Sequence, residues 1–319
     1  MNYRKFHAIL CVVILITLFI SGTLTMVYLN TSYGETEDDY LNNLFSELLY
    51  HLKTEEGPVN VLLLGGDLVA GNTDTIMLVN YNPSNSRLNL LSIPRDTYAE
   101  VRGSSVNKIN SAYPVGGGQL AVESVSNLLN VKINYYVFIS TKVFRQIIDL
   151  LGGVDYYVPV DMHYEDPYQD LYIDLKKGQQ HLNGEEAEGF MRFRQPSQYT
   201  KEMWEFYDGS DEKRIEAQQN FIKELIRQKA NLYSIAKIDD ILMTVFKNLD
   251  TNMDMNDALK FVPSASRINV NKVKMFTLPG MSYESNLWYY QMDKEETSKL
   301  INEYFTVEDS SIEDISYED

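Results

Sequence analysis

The chain has 319 residues and a formal net charge of −17, from 45 acidic and 28 basic side chains. That balance argues against a nucleic-acid partner, because proteins that track a phosphate backbone present a basic face. The single cysteine, Cys11, rules out an intrachain disulfide and leaves the remainder of the chain without a thiol nucleophile or a Cys-based metal site.

Residues 1–7 form a short basic start containing Arg4 and Lys5. Ala8–Leu29 is an uncharged, mostly apolar run. At ~1.5 Å per residue it is long enough to cross a hydrocarbon core of about 30 Å. Glu35, Glu37, Asp38 and Asp39 follow it. The positive-inside rule then predicts a single-pass type II cell-membrane anchor at residues 8–29, with everything beyond it extracellular; the rival, a cleaved signal peptide, fits less well because the run is long and no small-x-small site follows it cleanly. Residues 30–58 read as an acidic stalk and a juxtamembrane helix, with Leu41, Leu44, Phe45, Leu48 and Leu52 at helical spacing.

The globular part spans residues 59–305. Val61–Leu64, Thr75–Tyr81 and Leu88–Ile93 read as strands, the last stopped by Pro94. Gly116–Gly118 opens a predicted helix, Tyr135–Ile139 is a strand, and Val143–Leu151 is a helix ended by Gly152-Gly153. Val154–Val158 is a further strand, Leu171–Leu175 a peripheral one, and His181–Gly184 a turn. Glu185–Phe190 has helical character, whereas Arg192 and Arg194 suit an extended segment that points both side chains the same way. A polar, aromatic loop runs from Gln195 to Ser210. Helices are predicted at Asp211–Lys229, Ile235–Asn248, Asn256–Phe261 and Lys294–Tyr304, and a strand at Val273–Leu278. The acidic end, residues 306–319, reads as a disordered tail. Strands alternating with helices predict an α/β fold, a central sheet covered by helices.

Several charged residues sit at the edges of these apolar segments. Arg95 and Asp96 leave a strand through Pro94, and ligands of open α/β sheets bind outside strand ends. Asp74, flanked by Thr73 and Thr75, offers oxygen ligands of the kind Mg²⁺ prefers, and Asp67 after Gly65-Gly66 is a second acidic candidate. Asp211, Arg214 and Gln218 share one helix face with Phe221, Ile222 and Leu225, so that polar groups begin a stripe that must face inward. Lys108 adds positive charge. Carboxylates beside arginine forks suit a Mg²⁺-bound phosphate or pyrophosphate. Trp204, Phe206 and Tyr207 either stack on sugar rings or pin their loop to the domain.

These segments together resemble the LytR-CpsA-Psr family of cell-envelope proteins. The resemblance rests on Asn60–Asp67, Thr73–Leu78, Leu90–Thr97, Lys108–Asn110, Leu150–Asp155, Lys177–Gly184, Arg192–Arg194 and the spacing of Asp211, Arg214 and Gln218. It implies an αβα sandwich with a central mixed β-sheet that buries a polyprenyl tail in a hydrophobic tunnel. It implies transfer of a glycan phosphate from a polyprenyl-pyrophosphate carrier to a peptidoglycan sugar hydroxyl, as in attachment of teichoic acid or capsular polysaccharide. By matched position, Asp74 and Asp96 would hold Mg²⁺. Arg95, Arg192, Arg194 and Arg214 would grip the pyrophosphate, with Lys108 beside them, while Asp67, Asp211 and Gln218 would orient the helix and the arginines. Two positions depart from the family pattern: Asn72 stands where an arginine is usual, and Ala217 precedes Gln218-Gln219. Asn72 leaves the clamp one arginine short. The competing expectation is a non-catalytic or regulatory envelope protein that binds lipid-linked glycan.

Overall fold

The computed structural model describes residues 57–67, 72–167, 171–196, 200–201, 203–229, 245–254, 257–258, 260–261, 264 and 268–307. The predicted anchor, stalk, juxtamembrane helix and acidic tail therefore lie outside the described residues, as does most of the helix expected over Ile235–Asn248. Among the described residues no helix is long and apolar enough to cross a membrane.

Strands β1 (Val59–Asp67), β2 (Asn72–Asn82) and β3 (Arg87–Ser92) form an antiparallel meander. Helix α1 (Ala112–Leu129) leads to β4 (Tyr135–Ser140), which lies parallel to β1, and α2 (Thr141–Leu150) follows directly. A short β9 and β10 (Lys274–Thr277) complete a six-stranded mixed sheet in the order β10-β3-β2-β1-β4-β9; β9 is Asp250–Thr251. The fold is thus α/β with a central mixed sheet, as expected.

One sheet face is closed by α1 and by α6 (Lys294–Tyr304) over Leu62, Leu64, Leu78, Leu91 and Phe138. The approach of α1 is tight at Gly118, where a Cβ would stand 2.1 Å from the Tyr136 ring. The opposite face meets α2, α3 (Gly184–Arg192) and α5 (Asp211–Lys229), whose core includes Ile148, Phe190 and Phe221. The tight approach of α3 to α2 depends on Gly184, since a Cβ there would meet the Arg145 carbonyl oxygen at 2.3 Å. A ladder of buried asparagines crosses the sheet. Asn80 Nδ2 donates to Asn60 Oδ1 at 3.0 Å, while Asn60 and Asn89 donate to the Phe305 and Tyr304 carbonyls at the end of α6. Burial of three amides is tolerable because each amide nitrogen finds an acceptor; Asn89 Oδ1 alone has no partner among the described residues.

Several expectations change here. Gly116 and Gly117 are a break within a longer helix rather than its start: α1 begins at Ala112 and resumes its regular course at Gly118. His181 belongs to β8 (Gly178–Leu182) rather than a turn, and β8 pairs with β5 (Val154–Val158) outside the main sheet. Leu171–Leu175 is the expected peripheral strand, β7, paired with β6 (Met162–Asp166). A hairpin of β11 (Gly280–Glu284) and β12 (Trp288–Met292) was not expected. Helix α3 runs through Arg192, so Arg192 and Arg194 do not lie in one extended strand. In the loop after Arg194, a single helical turn, α4, covers Met203–Phe206.

Candidate functional site

The turn after β3 sets the first pair of charged side chains. Thr97, fully buried, donates through Oγ1 to the Pro94 carbonyl at 2.6 Å, and its backbone N–H reaches the same oxygen at 3.0 Å. Arg95 and Asp96 are held between these anchors. Arg95 Nη1 lies 2.6 Å from Asp74 Oδ1, while its Nε is 3.8 Å from Asp96 Oδ2 and 3.7 Å from Asp211 Oδ1. Three carboxylates from β2, the turn and α5 therefore converge on one guanidinium.

Helix α5 supplies the second pair. Its inward stripe holds as predicted: Arg214, Gln218 and Phe221 are all buried. Arg214 Nη2 lies 2.9 Å from Asp211 Oδ1, and Gln218 Nε2 donates to the Met191 carbonyl at 2.9 Å, next to Arg192. Gln219 fastens the same helix to the strand ends, donating to Ser92 Oγ and the Phe276 carbonyl, each at 2.9 Å. Arg214 and Arg95 are thereby fixed relative to one another.

The end of α3 brings the third pair. Arg192 Nη1 lies 2.8 Å from Glu188 Oε1, and the other oxygen of this buried Glu188 is paired with Arg145 Nε of α2. Arg194 Nε donates to the Gly209 carbonyl at 2.9 Å and is 4.0 Å from Asp211 Oδ1. Between the two, Phe193 is buried against Tyr207, their rings edge to face at 4.9 Å. Tyr207 thus pins its loop, whereas Trp204 and Phe206 are exposed.

Asp74, Arg95, Arg192, Arg194, Arg214 and Gln218 all line one cavity of about 450 Å³. Lys108 and Asp96 flank it without lining it, joined at 2.7 Å between Nζ and Oδ1. The backbones of Asp67 and Asn72 pair with one another across β1 and β2. Beyond the charged mouth the wall is apolar, built from Leu63, Met77, Ile139, Phe144, Ile147 and Leu225. The α2–α3–α5 layer stands off from the sheet here, so the apolar side chains on this face border an open volume.

The electrostatics favour an anion at the mouth. Burial, the largest influence on Arg214, pushes its pKa down; Asp211 opposes this, and the neighbouring Arg95 and Arg194 push it further down. Burial also works against the charge on Arg95, but Asp211, Asp74 and Asp96 together outweigh it and raise its pKa. Arg95 Nε and Arg214 Nε are buried donors with no hydrogen-bond acceptor among the described residues, and both buried oxygens of the neighbouring Asp211 likewise lack a hydrogen bond. Unsatisfied cationic donors inside a cavity are costly, and an oxyanion satisfies them.

Glu188, Gln219 and the apolar wall were not picked out from sequence. Glu188 reads as one more acidic helix residue; only the fold brings Arg145 to it.

The LytR_cpsA_psr family model matches residues 23–306. The polyisoprenyl-teichoic acid–peptidoglycan teichoic acid transferase TagU of Bacillus anthracis is 31% identical over 255 residues, covering 78% of this chain and 78% of its own. The crystal structure of B. subtilis TagV superposes with a TM-score of 0.65 at 29% identity, covering 78% of this chain and 98% of that one. A structure of TagT bound to LIIa-WTA superposes with a TM-score of 0.60 at 25% identity, over 78% of this chain and 90% of that one. With this extent of match, the chain belongs to the LytR-CpsA-Psr family.

Proposed function

We propose that the chain is a transferase that moves a glycan phosphate from a polyprenyl-pyrophosphate carrier to a sugar hydroxyl of peptidoglycan. The observation that carries this reading is the joining of four arginines to an apolar cavity in one continuous site. Such a site suits a ligand with a pyrophosphate head and a hydrocarbon tail. The names of TagU and TagV, and the ligand in the TagT structure, support the same reading. Teichoic acid is the glycopolymer these relatives favour, with capsular polysaccharide as the other member of the class.

The acceptor hydroxyl attacks the phosphorus that bears the glycan. A new P–O bond to the acceptor forms, the P–O bond to the polyprenyl phosphate breaks, and the hydroxyl proton is released. Arg95 and Arg214 bind the non-bridging oxygens from one side of the mouth, and Arg192 and Arg194 from the other. Positioning and charge neutralisation are the main contributions, since a loose phosphoryl transition state asks little of a general base. Apolar packing of the lipid in the cavity keeps water from the leaving group.

Mg²⁺ is the proposed cofactor. Among the described residues no group of three or more His, Cys, Asp or Glu side chains is placed to hold a metal ion. Two carboxylates suffice for Mg²⁺ when substrate phosphates and water complete its shell. Asp74 and Asp96, which here pair with Arg95 and Lys108, would be such a pair, each holding the ion through its second carboxylate oxygen. When bound, the ion supplies positive charge to the phosphate oxygens that the arginines leave uncovered.

Placement is also part of the proposal: residues 8–29 anchor the chain in the cell membrane, with the catalytic domain outside, where both the lipid carrier and peptidoglycan are met. A reconstitution with polyprenyl-pyrophosphoryl glycan, Mg²⁺ and peptidoglycan fragments tests the reading. Transfer is expected to stop with EDTA and return with excess Mg²⁺; transfer that persists in EDTA would remove the metal from the account. Narrowing the cavity with Ile147→Trp is expected to raise KM about 10-fold for a long-chain polyprenyl donor and leave a short-chain donor nearly unaffected. Equal effects on both donors would mean that the lipid lies elsewhere.

A further inference from the structure

The β11–β12 hairpin is absent from the cavity wall, yet its backbone is joined to the catalytic turn. Tyr290 N–H donates to the Asp96 carbonyl at 2.9 Å, and Tyr98 N–H donates to the Tyr290 carbonyl at 2.9 Å. On one face of the hairpin, the cross-strand pair Tyr283 and Tyr289 stack with ring centroids 5.7 Å apart. Tyr98 meets Tyr289 edge to face at 5.9 Å. Lys108 Nζ stands 5.3 Å from the centre of the Tyr289 ring while it holds Asp96 Oδ1 at 2.7 Å. The aromatic shelf is thus continuous through Lys108 and Asp96 with Arg95.

Tyr98 packs its edge on Tyr289 yet is 39% exposed at the rim of the site, so that part of its ring is open to a ligand. The shelf also lies outside the cavity, beside two residues that flank the cavity without lining it. An in-line attack needs the acceptor to approach from the side opposite the leaving group, and the leaving lipid phosphate belongs to the cavity.

We infer that Tyr98, Tyr283 and Tyr289 form the acceptor subsite, a shelf on which pyranose rings of a peptidoglycan glycan strand stack. The inference rests on the transferase reading given above. Flat aromatic faces match the apolar C–H face of a sugar ring, and the phenol groups of Tyr98 and Tyr283 offer hydrogen bonds to its hydroxyls, while that of Tyr289 donates to the Val106 carbonyl at 3.0 Å and fixes its ring. A stacked ring beside Lys108 carries a hydroxyl toward the phosphate held by Arg95.

Transfer is measured with the donor fixed and soluble glycan strands varied, alongside calorimetric titration of the same strands into the donor-free chain. Tyr98→Ala is expected to raise the acceptor KM and weaken strand binding by ~10-fold each, the size of one lost aromatic contact, with donor KM within about twofold. Tyr98→Trp, which keeps a flat face, is expected to restore both. An acceptor KM and a strand affinity that stay at wild-type values in Tyr98→Ala overturn the shelf while leaving the transferase reading intact. Tyr98-dependent strand binding by a chain that transfers nothing would do the reverse.

Discussion

Replacing Arg95 with alanine is expected to lower kcat/KM for glycan transfer by about 10³-fold, the scale for removing one preorganised charge-stabilising donor from a transition state. The reason lies in how many groups converge there. Arg95 contacts Asp74 at 2.6 Å and approaches both Asp96 and Asp211, while its buried Nε has no hydrogen-bond acceptor among the described residues. Its loss would remove a proposed phosphate ligand and leave Asp74 without its 2.6 Å partner, while Asp96 keeps Lys108 and Asp211 keeps Arg214. The negative charge left on Asp74 would also weaken binding of the anionic donor. Arg95→Lys keeps the charge but not the fork, so it should recover only part of the rate. Steady-state kinetics with donor and acceptor varied separately check this, and a fall of less than ~10-fold for Arg95→Ala would place the reacting phosphate away from this guanidinium.

Removing Glu188 is expected to have the largest effect on stability. Its carboxylate is buried and sits between Arg192 and Arg145, joining α3 to α2. Deleting one partner of a buried ion pair typically costs about 3–5 kcal/mol, because the remaining charge is left uncompensated. Arg145 is partly exposed and can reach water, so the lower end of that range applies to Glu188→Ala. Denaturant unfolding gives the value directly. A loss below ~1 kcal/mol would mean that the other contacts of Arg192 and Arg145 hold α3 to α2 without this carboxylate. Glu188→Gln, which keeps the shape and can still accept a hydrogen bond, should fall between the two.

Much of the fold was legible because it follows from periodicity. Helices α5 and α6 occupy the predicted residues, Asp211–Lys229 and Lys294–Tyr304. The inward stripe from Arg214 to Phe221 was visible because polar groups began an otherwise apolar face. The β11–β12 hairpin was not legible. Its strands lack clean alternation, and it is held by backbone bonds to Asp96 and Tyr98, far away in sequence. Strand β8 was missed for a similar reason: Gly-Gln-Gln-His-Leu is polar, and its pairing with β5 defines it. Arg192 and Arg194 line one cavity, but not by the extended geometry expected of them. The helix carries Arg192 through its last turn, and the backbone then extends at Phe193, so both side chains still reach the cavity. The cavity itself is a property of the layers. A strand such as β1 reads as apolar on both faces whether side chains or open space lie against it.

In the proposed reaction one site holds both a pyrophosphate and a lipid and passes the glycan phosphate to a sugar. The most direct measurement is phosphorus NMR of the products formed from polyprenyl-pyrophosphoryl glycan and peptidoglycan fragments with Mg²⁺. The account predicts a new phosphodiester joining glycan to peptidoglycan, polyprenyl phosphate released in equal amount, and neither product with Arg95→Ala. A donor that is bound but recovered intact, equally by the wild-type chain and by Arg95→Ala, would contradict it and mark the chain as a binder of lipid-linked glycan.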